Sequence, residues 1–207
     1  MTVDDLLKIV LSDRSLYRKS GGGVTLSGGE VMMQWEFARD LLRACKRNYI
    51  HTSIESALHC RCESMESVYE FSDLVITDIK HMNEQMHRTY TGVGNRLILE
   101  NIKRTVVIGK HIVIRIPIIP GYNDDVENII DTGRFIRDEL DNKVMQVQLL
   151  PYRKMGIEKY RSLNLDYPLG NDYVPPERTA WEADLLHLTS LLTGMGVPAV
   201  AGSNVKY

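Results

Sequence analysis

Short runs of β-branched and other apolar residues alternate with segments of helical periodicity along almost the whole chain, and this alternation constrains the fold most strongly. Six strands are predicted, at residues 23–27, 50–56, 74–80, 111–121, 144–152 and 197–202. The plainest of them, 111–121, is continuously apolar apart from Arg115 and ends at Pro120-Gly121. Strands that are separated by helices form parallel sheets, so the pattern predicts an α/β fold, either a barrel or an open doubly wound sheet.

The segments between the strands carry the apolar spacing of helices. Helices are predicted at about 31–48, at 63–71, in two pieces of 83–109 separated near 91–95, from Asn123 or Asp124 to about Leu140, and at 177–195. Residues 153–176 are predicted to be a loop that contains tyrosine, proline and glycine. Because no repeat or linker interrupts this order, we expect one domain.

Charge and cysteine usage exclude several classes of protein. Twenty-five Lys and Arg residues against 27 Asp and Glu residues give a net charge of −2, so we expect neither nucleic acid nor a membrane surface as partner. The start of the chain, MTVDDLLKIVL, is acidic where a signal peptide would be basic. Three cysteines at irregular spacing indicate a reducing compartment, and we therefore expect a cytoplasmic protein.

Polar residues cluster where the predicted strands end. They are Ser27, Gly28, Gly29 and Glu30 after the first strand, Glu55 and Ser56 after the second, Asp78 and Lys80 after the third, and Pro151, Tyr152 and Arg153 after the fifth. In both α/β architectures the chemistry lies at the carboxyl ends of the strands. We therefore expect these residues to share one site.

Glycines that directly follow a parallel strand let the backbone approach a ligand closely. Glu30, which follows Gly28 and Gly29, could then bind a cation such as an amine. The alternative is a pair of tight turns with no ligand. The spacing excludes a dinucleotide fingerprint and a Walker loop, because neither G-x-G-x-x-G nor Gly-Lys-Ser/Thr opens the next helix.

Asp78 and Lys80 lie two residues apart on one strand, so their side chains point to the same face. A carboxylate beside an ammonium suits a zwitterionic or hydroxyl-bearing ligand, and a purely structural ion pair is the alternative. Arg115, inside the most apolar strand, needs a partner. That partner is Asp78 or Glu55, or else a carboxylate of a ligand.

Cys60 and Cys62, with His51 and His59 nearby in sequence, suggest a metal site. Their spacing is tighter than that of a zinc knuckle and no second pair of ligands follows, so we favour free thiols. No Ser-His-Asp order or H-E-x-x-H helix supports a hydrolase.

Taken together, these segments resemble the glycyl-radical-enzyme activating proteins, which are radical S-adenosylmethionine (radical SAM) enzymes typified by pyruvate formate-lyase activating enzyme. The resemblance runs in order from about residue 3 to about residue 170, through DRSLYRKSGGGVTLSGGE, IHTSIES, LVITDIKHM, TGVGNRLILENI, VIRIPIIPGYND and QLLPYRKMGIEKY. It implies a partial (β/α) barrel of radical SAM type with the first strand missing, formed by residues 1–207 as one truncated domain. The strand at 23–27 is then expected to be an exposed apolar edge.

The resemblance also implies the residues that bind S-adenosylmethionine. These are Gly28, Gly29 and Glu30 at its methionine end, Asp78, Ile79 and Lys80 on the third strand, and Glu55 and Ser56 at a cation site beside its carboxylate. Arg115 joins them as a candidate partner of that carboxylate. Arg153 stands where the family motif L-P-Y-H has histidine, and arginine can still bond ribose hydroxyls or stack on adenine.

The family holds a [4Fe–4S] cluster through C-x-x-x-C-x-x-C near the N-terminus. Cys45, Cys60 and Cys62 cannot supply that motif, so no metal ligand is predicted in this chain. We therefore do not expect this polypeptide alone to perform radical chemistry.

The resemblance implies a truncated activase that abstracts hydrogen from a glycine of a partner glycyl radical enzyme, with a reductant such as flavodoxin or ferredoxin. The loop at residues 120–123 and the segment 153–176 are candidate rims for that partner. The main alternative is a non-catalytic S-adenosylmethionine-binding or accessory subunit without an iron–sulfur cluster. There are two further alternatives. One is the poorly folding product of a gene remnant, and the other is an unrelated barrel enzyme that acts on phosphates.

Overall fold

The computed structural model describes residues 1–153, 156–167, 169–170, 173–174 and 177–203. Its sheet has six parallel strands in the order β1-β2-β3-β4-β5-β6. The strands are β1 (Gly23–Leu26), β2 (His51–Glu55), β3 (Leu74–Asp78), β4 (His111–Ile118), β5 (Gln146–Pro151) and β6 (Ala199–Ala201). This consecutive parallel order confirms the prediction of an α/β fold and is that of a partial (β/α) barrel.

Helices connect successive strands and cover one face of the sheet. They are α1 (Val3–Ser12), α2 (Arg14–Ser20), α3 (Trp35–Arg47), α4 (Cys62–Tyr69), α5 (Glu84–Thr91), α6 (Arg96–Val107), α7 (Val126–Arg134), α8 (Ile157–Ser162) and α9 (Arg178–Gly194). A 3₁₀ turn, Val31–Gln34, precedes α3, and a π-helical turn, Phe135–Glu139, extends α7. Among the described residues, no helix is both long and apolar enough to cross a membrane.

Several boundaries differ from the sequence predictions: the strands β3 and β4 end at Asp78 and Ile118, earlier than predicted, and the helices α1 and α2 were not predicted. Helix α7 is capped by Asp125, whose side chain accepts a hydrogen bond from the Asn128 amide, and not by Asn123 or Asp124. Part of the predicted loop 153–176 is the short helix α8, and Tyr160 on this helix packs edge-on against Tyr167. Positions 154, 155, 168, 171, 172, 175 and 176 of that predicted rim, and positions 204–207, lie outside the described residues.

The two faces of the sheet differ in polarity because successive side chains of a strand point to opposite faces. On β4, Ile112, Ile114, Ile116 and Ile118 are fully buried in the core between the sheet and the helices. Arg115, in the middle of the same strand, points to the other, concave face. The isoleucines therefore pack against the helices, whereas the concave face carries Arg115 together with a small apolar cluster of Leu74, Ile76 and Val113.

Strand β1 is the outermost strand of the described sheet, but its apolar side chains are not exposed. Val24 and Leu26 are half-buried and pack in a cluster with apolar residues of α1, among them Leu7 and Val10. The expectation of an exposed apolar edge is therefore wrong for these side chains. The physical reason is that they pack against the buried residues Leu41, Cys45 and Ile50, which α1 also contacts.

The pairing of β1 with β2 predicts that Gly23 tolerates no side chain. A Cβ atom at Gly23 would overlap the backbone carbonyl of His51, its partner in the ladder. We expect Gly23→Ala to lower the free energy of unfolding by about 1–3 kcal/mol, as overpacking does. Urea unfolding followed by circular dichroism measures the change.

Gly194→Ala is the matched control, because a Cβ at this helical position meets nothing within 4 Å. It should leave stability unchanged or raise it by about 0.5–1 kcal/mol. Equal stability of the two variants would contradict the close approach of β1 to β2.

Candidate functional site

The carboxyl ends of β1, β2 and β3 surround a cavity of about 140 Å³, named here the glycine cavity. Its lining residues are Ser27, Gly28, Gly29, Glu55, Ser56, Ala57, Thr77, Asp78 and Lys80. The structure thus brings together most of the residues that the sequence placed at the strand ends. Glu30, Ile79, Arg115 and Arg153 lie outside this lining.

Gly28 and Gly29 leave the floor of the glycine cavity bare. Gly28 has φ +134°, a conformation that residues with a side chain rarely adopt, and both glycines are exposed. A Cβ at either position would meet nothing within 4 Å. The space above this backbone is therefore open to a ligand rather than filled by the protein.

Asp78 and Lys80 face the cavity together, as their spacing predicts. Lys80 Nζ lies 3.3 Å from Asp78 Oδ2, and both side chains are partly exposed. Ile79 points the other way, is buried in the core, and donates its amide hydrogen to the Arg115 carbonyl. The strand end thus offers a ligand one carboxylate and one ammonium, and Ile79 fixes their backbone.

Glu30 is held by its own chain. Its Oε1 accepts hydrogen bonds from Ser56 Oγ at 2.6 Å and the Met32 amide at 3.0 Å, and its Oε2 accepts one from the Ala57 amide at 2.9 Å. Ser56 Oγ in turn accepts a hydrogen bond from the Leu58 amide. This geometry ties the loop after β1 to the end of β2, so Glu30 and Ser56 position the glycine cavity.

Arg115 finds its partner across β3 on the concave face. Its Nη1 lies 3.0 Å from Glu55 Oε1, and its Nε donates to Gln148 Oε1 at 3.3 Å. Gln148 then donates to Gln146 Oε1. Of the three partners that the sequence left open, the structure selects Glu55, and the polar row links β2, β4 and β5.

A larger cavity of about 740 Å³, the aromatic cavity, adjoins the glycine cavity, and Lys80 lines both. Its other lining residues are His81, His87, Thr89, Tyr90, Thr91, Pro117, Ile119, Tyr122, Asn123, Tyr152, Arg153, Tyr160, Tyr167 and Leu169. Arg153 is exposed at its wall. Both predicted rims, residues 120–123 and the segment from 153, therefore contribute to one cavity.

The tyrosines of this cavity support one another through edge-on ring contacts. Ring centroids of Tyr90 and Tyr122 lie 5.2 Å apart, and those of Tyr160 and Tyr167 lie 5.3 Å apart. The sequence analysis did not single out these residues as a set. Their clustering in the sequence could have indicated an aromatic site, since ten tyrosines occur in 207 residues and four of them lie in residues 152–173.

Buried asparagines hold the loops that carry the site. Asn123 donates to the carbonyls of Lys80 and Pro117, both at 2.8 Å, and accepts from the Ile119 amide at 2.7 Å. Asn128 accepts from the Met82 amide and donates to the Asn123 carbonyl. These bonds satisfy backbone groups that no strand partner reaches, and so fix Lys80 between the two cavities.

His81 and His87, at the junction and wall of the aromatic cavity, are 7% and 3% exposed. Burial lowers the pKa of both rings, because it penalises the charged form. Asp125 opposes this effect at His81, and a hydrogen bond to the Val93 carbonyl opposes it at His87. At pH 7 both rings therefore carry a proton less often than a free imidazole does.

The three cysteines lie in unrelated environments and are free thiols. Cys45 is fully buried in the cluster that packs α1 against α3, and burial raises the pKa of Cys60 to about 12. Cys62 donates a hydrogen bond to Glu66. Within the described part of the chain, no three His, Cys, Asp or Glu side chains are grouped to hold a metal ion.

The role of Asn123 predicts a large loss of stability on truncation. Asn123→Ala removes three hydrogen bonds and leaves buried backbone groups unpaired, so we expect a loss of about 2–4 kcal/mol in urea unfolding. Asn48→Ala is the control, since the half-buried Asn48 side chain donates a single hydrogen bond within the described residues, to the Ala44 carbonyl. Equal losses in both variants would show that the hydrogen bonds of Asn123 do not hold these loops.

The two lowered histidine pKa values predict a pH dependence of stability. In the unfolded chain both rings bind a proton near pH 6.5, whereas in the folded protein they bind it only at lower pH. The free energy of unfolding is therefore retained at pH 7 and falls as the pH drops below about 6.5. His87→Gln should flatten this slope, by up to about 1.4 kcal/mol per pH unit. Urea unfolding at pH 7 and pH 5 provides the test.

His111→Gln, at the exposed start of β4, controls for the loss of an imidazole and should keep the wild-type slope. An unchanged slope in His87→Gln would show that burial does not discourage protonation of that ring.

Comparison with known proteins agrees with this geometry. The model of the radical SAM superfamily matches residues 1–133. The chain is 37% identical over 206 residues to a (2S)-3-sulfopropanediol dehydratase activating enzyme from Klebsiella oxytoca, covering all of this chain and 64% of that enzyme. It is 40% identical over 169 residues to a pyruvate formate-lyase-activating enzyme from Clostridium pasteurianum, covering 82% of this chain and 70% of that enzyme.

A solved structure of a domain of a pyruvate-formate lyase-activating enzyme from Bacteroides vulgatus is similar as well. It matches with a TM-score of 0.71 and 29% identity, over 88% of this chain and 99% of that domain. The chain therefore belongs to the radical SAM superfamily, and within it to the family of pyruvate formate-lyase-activating enzymes and related activating enzymes of glycyl radical enzymes.

Proposed function

We propose that this chain acts in the activation of a glycyl radical enzyme, by binding S-adenosylmethionine and presenting it to a glycine-containing segment of that partner. The observation that carries the proposal is the continuity of the glycine cavity with the aromatic cavity at Lys80. Relatives named for such activation act on different partners, a dehydratase in one case and pyruvate formate-lyase in another. The chain spans 64% of the length of the first of these, so the activity of a whole enzyme is part of the proposal.

The residues of the glycine cavity fit S-adenosylmethionine. The bare backbone at Gly28 and Gly29 gives a cradle that a side chain would fill, and the Asp78–Lys80 pair complements a zwitterionic amino acid. Arg153 lines the aromatic cavity, where we propose that it contacts the nucleoside portion. When bound, S-adenosylmethionine would supply radical chemistry only after it accepts one electron from a reduced cluster held outside the described residues, and that chemistry would remove a hydrogen atom from a glycine of the partner.

The chain's own residues act by binding and positioning. Lys80 and Asp78 hold the ligand by charge, Glu30 and Ser56 keep the cradle in place, and Asn123 fixes Lys80. Glu55 and Arg115 neutralise each other on the concave face, and we propose that they meet the carboxylate end of the ligand. We propose that the electron comes from a reductant such as flavodoxin or ferredoxin. We also propose that the protein acts in the cytoplasm.

The described residues do not fit a [4Fe–4S] cluster. Such a cluster needs three or four grouped thiolates, whereas Cys45 is sealed in the core and burial strongly disfavours the Cys60 thiolate. This observation favours the second candidate function, a non-catalytic S-adenosylmethionine-binding or accessory subunit. Binding of S-adenosylmethionine without iron, and co-purification with a cysteine-bearing partner, would support that second function.

Gly29→Leu tests the cradle with little risk to folding. Gly29 lacks a left-handed φ and has open space around it, so the added side chain should enter the cavity without straining the chain. We expect an unfolding free energy close to that of the wild type, and at least a tenfold loss of affinity for S-adenosylmethionine in isothermal titration calorimetry. Asp78→Asn should weaken binding in the same assay.

Gly194→Leu, also in open space but far along the chain on α9, is the matched control. It should bind S-adenosylmethionine like the wild type. Unchanged affinity in Gly29→Leu would remove the glycine cavity from the proposal.

A further inference from the structure

Arg115 does not pair with the carboxylate on the strand next to it. In the ladder between β3 and β4, Arg115 is the register partner of Asp78. Register partners on parallel strands point to the same face, and adjacent strands lie about 4.8 Å apart, so these two side chains are neighbours. Within the described residues, however, Asp78 pairs with Lys80 at 3.3 Å, and Arg115 pairs with Glu55 at 3.0 Å on the far side of β3. An interaction other than charge must therefore direct Arg115 past Asp78.

Gln148 provides that interaction from the other side of β4. It is the register partner of Arg115 on β5, and it is only 1% exposed. Its Oε1 accepts a hydrogen bond from Arg115 Nε at 3.3 Å, and its Nε2 donates one to Gln146 Oε1 at 2.9 Å. Because Gln146 occupies the donor end of the amide, the oxygen end is the one that faces Arg115.

The hydrogen bond to Gln148 fixes the direction of the whole guanidinium group. This group is planar and carries its N–H donors in a rigid fork, so holding Nε and Nη1 fixes the remaining donors as well. Without the Gln148 acceptor, only the attraction of the two carboxylates would set the direction of Arg115. Of these, Asp78 is on the adjacent strand, whereas Glu55 lies one strand further away.

The direction of Arg115 determines the charge that the glycine cavity offers to a ligand. Asp78, Lys80 and Glu55 all line this cavity. With Arg115 on Glu55, the carboxylate of Asp78 contacts one cation of the chain, Lys80, and remains partly exposed. A guanidinium on Asp78 would neutralise the charge that attracts the ammonium group of an amino acid and would occupy its acceptor oxygens.

We propose that Gln148 is a positioning residue for S-adenosylmethionine binding. Its hydrogen bond to Arg115 Nε keeps the guanidinium group on Glu55 and so leaves Asp78 for the ammonium group of the ligand. Gln148 is buried and is not among the residues that line the glycine cavity or the aromatic cavity, so it acts only through Arg115. The inference rests on the proposed function and adds to it a residue that does not touch the ligand.

Two substitutions of Gln148 separate this role from packing. Gln148→Met keeps the length of the side chain but removes the acceptor, and we expect S-adenosylmethionine to bind at least about fivefold more weakly in isothermal titration calorimetry. Gln148→Glu keeps an oxygen at the same place, and the Gln146 amide can turn to donate to it, so affinity should stay within about twofold of the wild type. Packing alone predicts the opposite order, because a buried carboxylate costs more than a buried methionine.

Gln146→Met is the matched control. It removes an amide from the same face of β5, two residues away, and leaves the hydrogen bond between Gln148 and Arg115 in place. Its affinity should stay within about twofold of the wild type. Gln148→Asn is a second variant, in case Gln148→Met does not fold: its shorter side chain moves the acceptor away from Arg115, so we expect the same loss of affinity. Urea unfolding verifies that each variant is folded.

Crystal structures provide a readout that does not depend on binding. In Gln148→Met we expect the Nη atoms of Arg115 within hydrogen-bond distance of the Asp78 carboxylate, whereas in Gln148→Glu they should remain on Glu55.

Equal affinity of the wild type and Gln148→Met would overturn the inference. An equal loss in Gln148→Glu or in Gln146→Met would overturn it as well, and so would an Arg115 that stays on Glu55 in Gln148→Met. Each of these results, obtained with a wild type that binds S-adenosylmethionine, counts against the role of Gln148 alone. A wild type that does not bind S-adenosylmethionine counts against the proposed function, and the inference falls with it.

Discussion

The alternation of side chains along parallel strands organises the whole molecule. On β4, four isoleucines point to the helices and are fully buried, whereas Arg115 points to the concave face and pairs with Glu55. Burial of the apolar face supplies most of the favourable free energy of folding. The concave face is thereby free to carry a polar row, and the strand ends carry the groups that meet a ligand.

Loops at the strand ends need a second set of interactions, because their backbone groups leave the ladder. Side chains provide it: Glu30 binds Ser56 and Ala57, and Asn123 binds the backbone of Lys80, Pro117 and Ile119. Each bond satisfies a buried polar group that would otherwise be costly. The bare cradle at Gly28 and the ion pair of Asp78 and Lys80 are held in place by residues that need not touch the ligand themselves.

The sequence predicted the six parallel strands and the shared face of Asp78 and Lys80, since these depend on local periodicity and on the parallel-sheet rule. The residue pattern left the strand order open between a barrel and a doubly wound sheet, and only the family resemblance implied the barrel. It left the partner of Arg115 open, because Glu55 reaches it across an intervening strand. Glu30 was expected to face a ligand, and only the fold shows that three donors of its own chain surround it.

The two rims of the aromatic cavity were predicted, but its tyrosines were not predicted as a set, for a similar reason. They come from distant segments, such as Tyr90 on α5, Tyr122 before α7 and Tyr160 on α8. No local pattern reports contacts between segments so far apart in sequence.

The central claim is that one continuous site runs from the glycine cavity through Lys80 into the aromatic cavity. Amide chemical-shift mapping of the ¹⁵N-labelled protein during titration with S-adenosylmethionine tests it most directly. The account predicts saturable shifts at Gly28, Gly29 and Lys80, extending to Tyr152 and Arg153, with little change at His51 and His111 at the opposite ends of the strands. Saturable shifts confined to other regions, or none at millimolar ligand, would contradict it.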